Sequence, residues 1–363
     1  MGLADTRFSD RRRAVAAKLA GMRIDTMLVT HLAHVYYLFG FTGSNAALTV
    51  SKDLSSSICT DGRYTTQIAE QVPDIEAVID RPSPEALLRR IEGIRRVGFE
   101  AEYVTVAQLE ALKEACGPDI TLVPVRGVIE ELRLVKDEGE LADLRKVADL
   151  ATRAFEDMIQ AGELAVGRQE REVAADLEYR MRQYGSEHTS FDTIVASGPN
   201  SALPHHGADD RVLERGDLVT IDFGAHAYGV NSDMTRTLVL EEAGDFAKEI
   251  YQVVLDAQLA GVQAAKPGTE LKAIDAACRD IIAAAGYGEY YVHSTGHGVG
   301  LDVHEAPFAS TAGQGKIEPG MTLTIEPGIY VPGQGGVRIE DTLIITDGEP
   351  EIITVSDKQL RVL

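Results

Sequence analysis

Three things are scarce in this 363-residue chain. Cysteine is the first: Cys59, Cys116 and Cys278 are scattered, odd in number and never in a CxxC pair. That excludes a disulfide framework and a thiolate metal clip, and fits a reducing compartment. Cys278 repeats the apolar face of a helix with Leu271, Ile274 and Ile281, which makes it a packing residue rather than a nucleophile. Positive charge is the second: Lys plus Arg total 35 against 57 Asp plus Glu, a net charge of −22. Phosphate backbones and anionic membranes are repelled by such a field, so neither a nucleic-acid nor a membrane partner is expected. The one basic run, Arg11, Arg12 and Arg13, reads as the solvated face of an amphipathic helix. The third is the long apolar run. None approaches the roughly 18 residues of a membrane span, and the first residues lack the apolar core of a secretion signal, so the expected location is the cytoplasm.

Hydrophobic residues make up 44% and charged residues 25%, the balance of a folded soluble enzyme. At roughly 150 residues per domain, two domains are expected. Over residues 9–125, helix-like stretches alternate with short strand-like runs at 26–29, 47–50, 96–99 and 120–123, the pattern of an α/β domain. A long amphipathic helix starts near Asp137. The division is placed to give an N-terminal domain at 1–130 and a C-terminal domain at 131–363. In the second, two helices precede strands twice over, with helices near 138–161, 169–184, 244–265 and 271–285. This ordering predicts an internal duplication of architecture.

Chemistry concentrates in two stretches that read as hairpins. The run Leu218 to Gly224 is a buried strand with an aspartate, Asp222, where an apolar residue belongs. With the following turn centred between Ala227 and Tyr228, Asp222 would face Asp233 across an antiparallel pair. The pattern recurs downstream: with the loop centred on Gly333, Glu326 would face Glu340. Like charges opposite one another on a sheet repel, and burial worsens it, so a cation must sit between them or a proton must be taken up. For either pair alone, a salt bridge to Arg236 or Arg338 competes. The recurrence of the pair in each half favours metal. Four carboxylates exceed what one catalytic ion needs, so two ions are expected, about 3.5–4 Å apart.

His293, His297 and His304 lie among glycines at 296, 298 and 300, which make a stable helix there improbable and bare the backbone for close approach. One imidazole added to four carboxylates favours manganese, cobalt, zinc or iron over calcium. His205 and His206, after Leu203-Pro204, read as a loop pair able to contact substrate. His31, His34, His188 and His226 have no such context. Dinucleotide, Walker, zincin and Gly-x-Ser-x-Gly signatures are all incomplete or missing.

These blocks together resemble the Xaa-Pro peptidases, the prolidase and aminopeptidase P group of pita-bread metallopeptidases. The likeness rests on 221–224, 232–237, 296–300, 325–330 and 337–341, with Tyr37 to Ser44 and Asp61 to Tyr64 similar to that group's N-terminal domain. It implies a creatinase-type α/β N-terminal domain and an α+β pita-bread catalytic domain. It further implies that Asp222, Asp233, His297, Glu326 and Glu340 ligate two divalent ions, most simply Mn2+ with Co2+ or Zn2+ as alternatives, and that Asp233 and Glu340 bridge them. His205, His293, His304 and Arg338 match substrate-contacting positions. The implied reaction is hydrolysis of the Xaa-Pro bond of dipeptides or short peptides by a metal-bridging hydroxide. Glu326 would shuttle the proton, His304 and His205 would stabilise the oxyanion, and a homodimer would form the working unit. Creatinase shares the fold without this complete metal set. The competing functions are a binding module that retains the fold without catalysis and a methionine-aminopeptidase-like enzyme.

Overall fold

The computed structural model describes residues 6–93 and 95–363; the first five residues of the expected N-terminal domain lie outside them. The chain divides into two compact units, one ending at Arg133 and the other running from Leu134 to Leu363. Among the described residues no helix is long and apolar enough to cross a membrane. Cys59 and Cys278 are buried free thiols, Cys278 with Ile274 and Ile282 in a helix-packed core.

The first unit is built on a six-stranded mixed sheet. Its order is Val78–Ile79, Ser56–Thr60, Ala46–Ser51, Thr26–Val29, Arg95–Glu100, Ile120–Val125. The Thr26–Val29 strand is buried along its whole length because it sits inside the sheet with elements packed on its faces, which explains its near-continuous apolar character. Arg11 and Arg12 depart from the expected solvated face: both are buried. Arg11 Nη1 donates to the Tyr37 carbonyl at 2.9 Å and Arg12 Nη1 to the Leu38 carbonyl at 3.0 Å, while Arg12 also pairs with Asp74. Tyr37 and Leu38 lie in the last turn of the Leu32–Phe39 helix, whose final carbonyls have no partner within the helix and carry its negative dipole end. Two guanidiniums satisfy them. His34, without context in the sequence, is fully buried with Nδ1 2.5 Å from Glu100 Oε1, a core pair.

The second unit opens with Asp137, whose carboxylate accepts the Glu140 N–H while Glu140 returns a bond to the Asp137 N–H. This capping box starts the helix Glu138–Gln160. With Glu170–Gln183 it packs on an antiparallel sheet of Ile194–Ser197, Leu218–Phe223 and Met234–Val239. The second helical pair, Asp245–Ala264 and Leu271–Ala284, packs on the strands between Thr322 and Ile344. Each half has its own core: Phe155 stacks on Phe223 in one, and Ile250, Val254 and Ile274 meet Ile325 and Ile339 in the other. The expected duplication is therefore expressed as two helix-on-sheet layers.

Strand periodicity delivers the chemistry. Val219, Ile221 and Phe223 enter the core, so Thr220 and Asp222 take the opposite face. The register differs from expectation: Asp222 pairs with Thr235, not Asp233. The turn is centred between Tyr228 and Gly229, with φ of 56° and 75°, the two left-handed residues of a tight hairpin turn. Asp233 still shares the face of Asp222, because moving a turn centre by one residue displaces partners by two. In the second hairpin the register is as expected. Gly328 pairs with Arg338 and Val331 with Gly335, and the same register resumes where Ile325 pairs with Asp341. Glu326 and Glu340 occupy the break between those two ladders.

Candidate metal centre

A cavity of about 500 Å³ in the second unit is lined by Asp222, Asp233, His297, Glu326 and Glu340. His205, His293, His304 and Arg338 also line it, so the structure brings all nine nominated residues to one place. Phe191 and Ile194 add an apolar wall.

The short strand Gly296–Gly298 carries His297 into this cluster. A Cβ at Gly296 would stand 1.8 Å from the Thr324 carbonyl oxygen, so only glycine lets the two backbones approach this closely. His297 Nδ1 lies 3.0 Å from the Gly298 carbonyl and donates to it, which turns Nε2 toward the carboxylates. Nε2 is 3.3 Å from Glu326 Oε1 and 3.6 Å from Asp233 Oδ2. Ligand atoms of Asp233, His297 and Glu340 all fall within 4.8 Å of one another.

The electrostatics call for positive charge. Burial pushes the Asp233 carboxyl well up, and the charges of Glu340, Asp222 and Glu326 push it further. Burial does the same to Glu340, reinforced by Glu326 and Asp222. Against the upward push of burial, the His297 hydrogen bond and charge hold Glu326 down at about 2. His297 is raised to about 9: burial works against its charged form, and the Glu326 hydrogen bond and charge prevail. Two buried acceptors, Asp222 Oδ1 and Glu340 Oε1, have no hydrogen-bond donor. Buried lone pairs of this kind are costly unless a cation takes them, and hard oxygen donors with one imidazole suit divalent transition ions. The residues present therefore fit the expected metal.

Of the two competing salt bridges only the one to Arg338 is formed among the described residues, and it leaves the cluster acidic. Arg338 Nη2 binds Asp222 Oδ2 at 2.7 Å and spares Oδ1, while Arg236 is spent on Asp341 at 2.8 Å. His206 lines the cavity beside His205, as the loop-pair reading expects, but its Nε2 is committed at 2.7 Å to the buried carboxylate of Glu170. His293 is likewise committed: Nδ1 donates to the Ser294 carbonyl and Nε2 accepts from the Tyr330 hydroxyl, each at 2.8 Å. Only its ring carbons are left for the cleft. Burial lowers the pKa of both His293 and His304, for His304 with help from His297, whose ring centre is 4.3 Å away.

Sequence reasoning missed three supporting residues. Thr235 donates to Glu340 Oε2 at 2.7 Å and accepts from Arg338 Nε at 3.1 Å. Tyr330 accepts from Arg338 Nη1 at 2.8 Å while serving His293. Asp275, on a helix outside the cavity, accepts from Thr295 N and Oγ1 and so anchors the segment before His297. Thr235 carried a readable signal, its position two residues after Asp233 on the same face of the strand; the others are visible only as contacts.

A duplicated helix-on-sheet domain that collects four carboxylates and an imidazole in one partly apolar cleft defines a metal-dependent hydrolytic enzyme. The chain belongs to metallopeptidase family M24, whose pattern matches residues 142–347, preceded by a creatinase/prolidase N-terminal domain over residues 11–135. It thus joins an α/β N-terminal domain to an α+β pita-bread catalytic domain. It is 46% identical over 343 residues to the uncharacterized peptidase YqhT of Bacillus subtilis, covering 94% of this chain and 96% of that protein. Among solved structures, a Xaa-Pro dipeptidase from Bacillus anthracis superposes with a TM-score of 0.94 at 41% identity, over 98% of this chain and 100% of that one. An X-Pro aminopeptidase from Thermotoga maritima gives a TM-score of 0.88 at 34% identity, over 98% of this chain and 99% of that one.

Proposed function

We propose that this chain is a two-metal Xaa-Pro peptidase that hydrolyses the bond preceding proline in dipeptides or short peptides. The observation that carries this reading is the pair of buried acceptors, Asp222 Oδ1 and Glu340 Oε1, left without donors beside Asp233, His297 and Glu326. The names of the similar structures, a Xaa-Pro dipeptidase and an X-Pro aminopeptidase, support the substrate class. In this reading Asp222, Asp233, His297, Glu326 and Glu340 hold two divalent ions, manganese first and cobalt or zinc as alternatives. Asp233 and Glu340, which carry the strongest upward push on their carboxyls, would be the residues shared between the ions.

Bound there, the ions would ionise a water near neutral pH and polarise the scissile carbonyl. The side chains do the rest. Glu326, held ionised, accepts the proton of the attacking water and passes it to the departing imide nitrogen. His304, kept neutral by burial, directs an N–H at the carbonyl oxygen with His205, stabilising charge that develops there. His293 and Arg338, joined through Tyr330, form the facing wall of the substrate site. A prolyl nitrogen offers no N–H to a peptidase, so its ring must be gripped by shape, and Phe191 and Ile194 supply apolar surface in the cleft. We further propose that the chain acts as a cytoplasmic homodimer.

The deciding experiment compares Ala-Pro, Ala-Pro-Ala and Met-Ala as substrates under manganese, cobalt and zinc in turn. Metal-dependent release at the Ala-Pro bond is expected, with Met-Ala inert. Cleavage of Met-Ala alone would reassign the enzyme to the methionine-aminopeptidase type, and no turnover of any peptide with any metal would leave a binding module.

A further inference from the structure

Glu170 is the first residue of the helix Glu170–Gln183 and is fully buried, yet it does not line the catalytic cavity. Its carboxylate gathers donors from one segment. Oε1 accepts from Ser197 N at 2.7 Å, Ser197 Oγ at 2.6 Å and Asn200 Nδ2 at 3.1 Å. Oε2 lies 2.7 Å from His206 Nε2 and accepts from Asp209 N at 3.3 Å. Glu170, His206 and Asp209 also have the composition of a cation site. The donors already on both Glu170 oxygens mark a hydrogen-bond hub instead, of the strong, charge-assisted kind.

What the hub holds is the segment that delivers two groups to the cleft. His205 lines the cavity, as does the ring of His206 whose Nε2 the hub holds, and the Pro204 carbonyl accepts from Arg338 Nη1 at 3.2 Å. Within the same segment Ser201 Oγ accepts from Gly336 N at 2.8 Å, two residues before Arg338. The path from Glu170 to the substrate wall is therefore a chain of direct contacts. It meets the five residues assigned to metal only at its far end, where Arg338 also binds Asp222.

We infer that Glu170 is a positioning residue for substrate binding, acting through its bond to His206 to fix His205 and the Pro204 carbonyl that steadies Arg338. The inference rests on the peptidase reading above. It separates two functions within one cavity: substrate affinity depends on Glu170, and metal retention, which meets the path only where Arg338 binds one oxygen of Asp222, does not.

The test uses the full-length manganese enzyme with Ala-Pro, comparing wild type with Glu170→Gln, His206→Ala, His206→Gln and the double variant Glu170→Gln/His206→Ala. Either Glu170→Gln or His206→Ala is expected to raise KM about tenfold, to change kcat less than threefold and to keep the wild-type number of manganese ions per chain. His206→Gln, whose amide still donates to Glu170, is expected to return KM to within about threefold of wild type. The double variant should be no worse than the poorer single one, because both break the same bond. Unchanged KM, loss of manganese in parallel, or KM effects that multiply in the double variant would each overturn the assignment. If Glu170→Gln does not fold, the two His206 variants decide through the presence or absence of rescue. If the wild type cleaves no Xaa-Pro peptide, the peptidase reading fails, and hydrogen exchange of the metal-free proteins tests the positioning separately. Faster exchange confined to 197–209 in His206→Ala supports it, and an unchanged pattern overturns it.

Discussion

The Thr235 hydroxyl donates to Glu340 Oε2 at 2.7 Å, and the other oxygen of that carboxylate, Oε1, is buried with no donor. One side of Glu340 is thereby fixed so that the other faces the acidic cavity. Thr235 is fully buried and also receives Arg338 Nε, so one hydroxyl aligns the Glu340 carboxylate with the guanidinium that braces Asp222. Thr235→Val keeps the shape and removes the hydroxyl. Manganese affinity is expected to fall about 10–100-fold, the usual effect of losing an outer partner of a ligand, with the metal-free melting temperature close to wild type. Unchanged affinity in a manganese titration would show that the hydroxyl does not orient Glu340.

Asp233 is pushed toward its protonated form by burial and by three neighbouring carboxylates. In the metal-free protein its charge is therefore a source of repulsion. Asp233→Asn is expected to melt at or above the wild-type temperature in chelator. Added manganese should raise the melting temperature of wild type but not of the variant, because ligand binding stabilises only a chain that can bind. Peptidase activity should be lost. A metal-free variant that melts well below wild type would mean that Asp233 has a structural role of its own.

How much of this could be read from sequence varied with the range of the interaction. The second hairpin was legible because Gly333 and its neighbours mark the loop and the alternation of Val337, Arg338, Ile339 and Glu340 sets the face. The first was misplaced by one residue because Tyr228, with φ 56°, takes a left-handed turn position for which tyrosine gives no warning. The error did not change which face holds Asp222 and Asp233, since strand periodicity is insensitive to a slip of two. Arg11 and Arg12 look solvated in the sequence because their partners, the carbonyls of Tyr37 and Leu38, lie 26 residues away. The same holds for Glu170 and His206, 36 residues apart: a lone glutamate at a helix start looks like an ordinary first-turn acid until the fold closes over it.

Arg236 ties the two halves of the centre together from behind. Its guanidinium donates to the carbonyls of Thr235 and Glu340 and to Asp341 Oδ1, and Lys358 meets Asp341 Oδ2 at 2.7 Å. Arg236→Met leaves buried Asp341 short of its main partner, and a loss of about 3–5 kcal/mol is expected in denaturant unfolding, as when a buried ion pair is broken. The pH dependence follows from Asp341. Burial acts upward on it, but Arg236 and then Lys358 hold its pKa below the usual carboxylate value. A depressed folded pKa contributes stability above the unfolded carboxylate value of about 4, and that contribution fades as pH falls through the folded value. The gap between wild type and variant should therefore narrow below pH 4. A gap that is constant from pH 7 to pH 3 would assign the effect to packing alone.

Proton release should accompany metal binding, and its sign is set by the residues that must change state. In the metal-free protein Asp233 and Glu340 are raised toward their protonated forms, and His297 is raised to about 9. Metal binding needs both carboxylates ionised and His297 neutral at Nε2, so each proton held there must leave. Affinity is then expected to rise with pH up to about 9, where His297 loses its proton unaided, and to fall steeply toward acid. Glu326, already held at about 2, contributes nothing across that range. Calorimetric titration of the apoprotein with manganese at pH 7.5, in two buffers of different ionisation enthalpy, measures the protons released. A net release above one per chain is expected with wild type, and a smaller one with Asp233→Asn. Zero release would mean that the five groups already have their metal-binding protonation states, so that the convergence of acidic charge in this cleft is compensated in some other way.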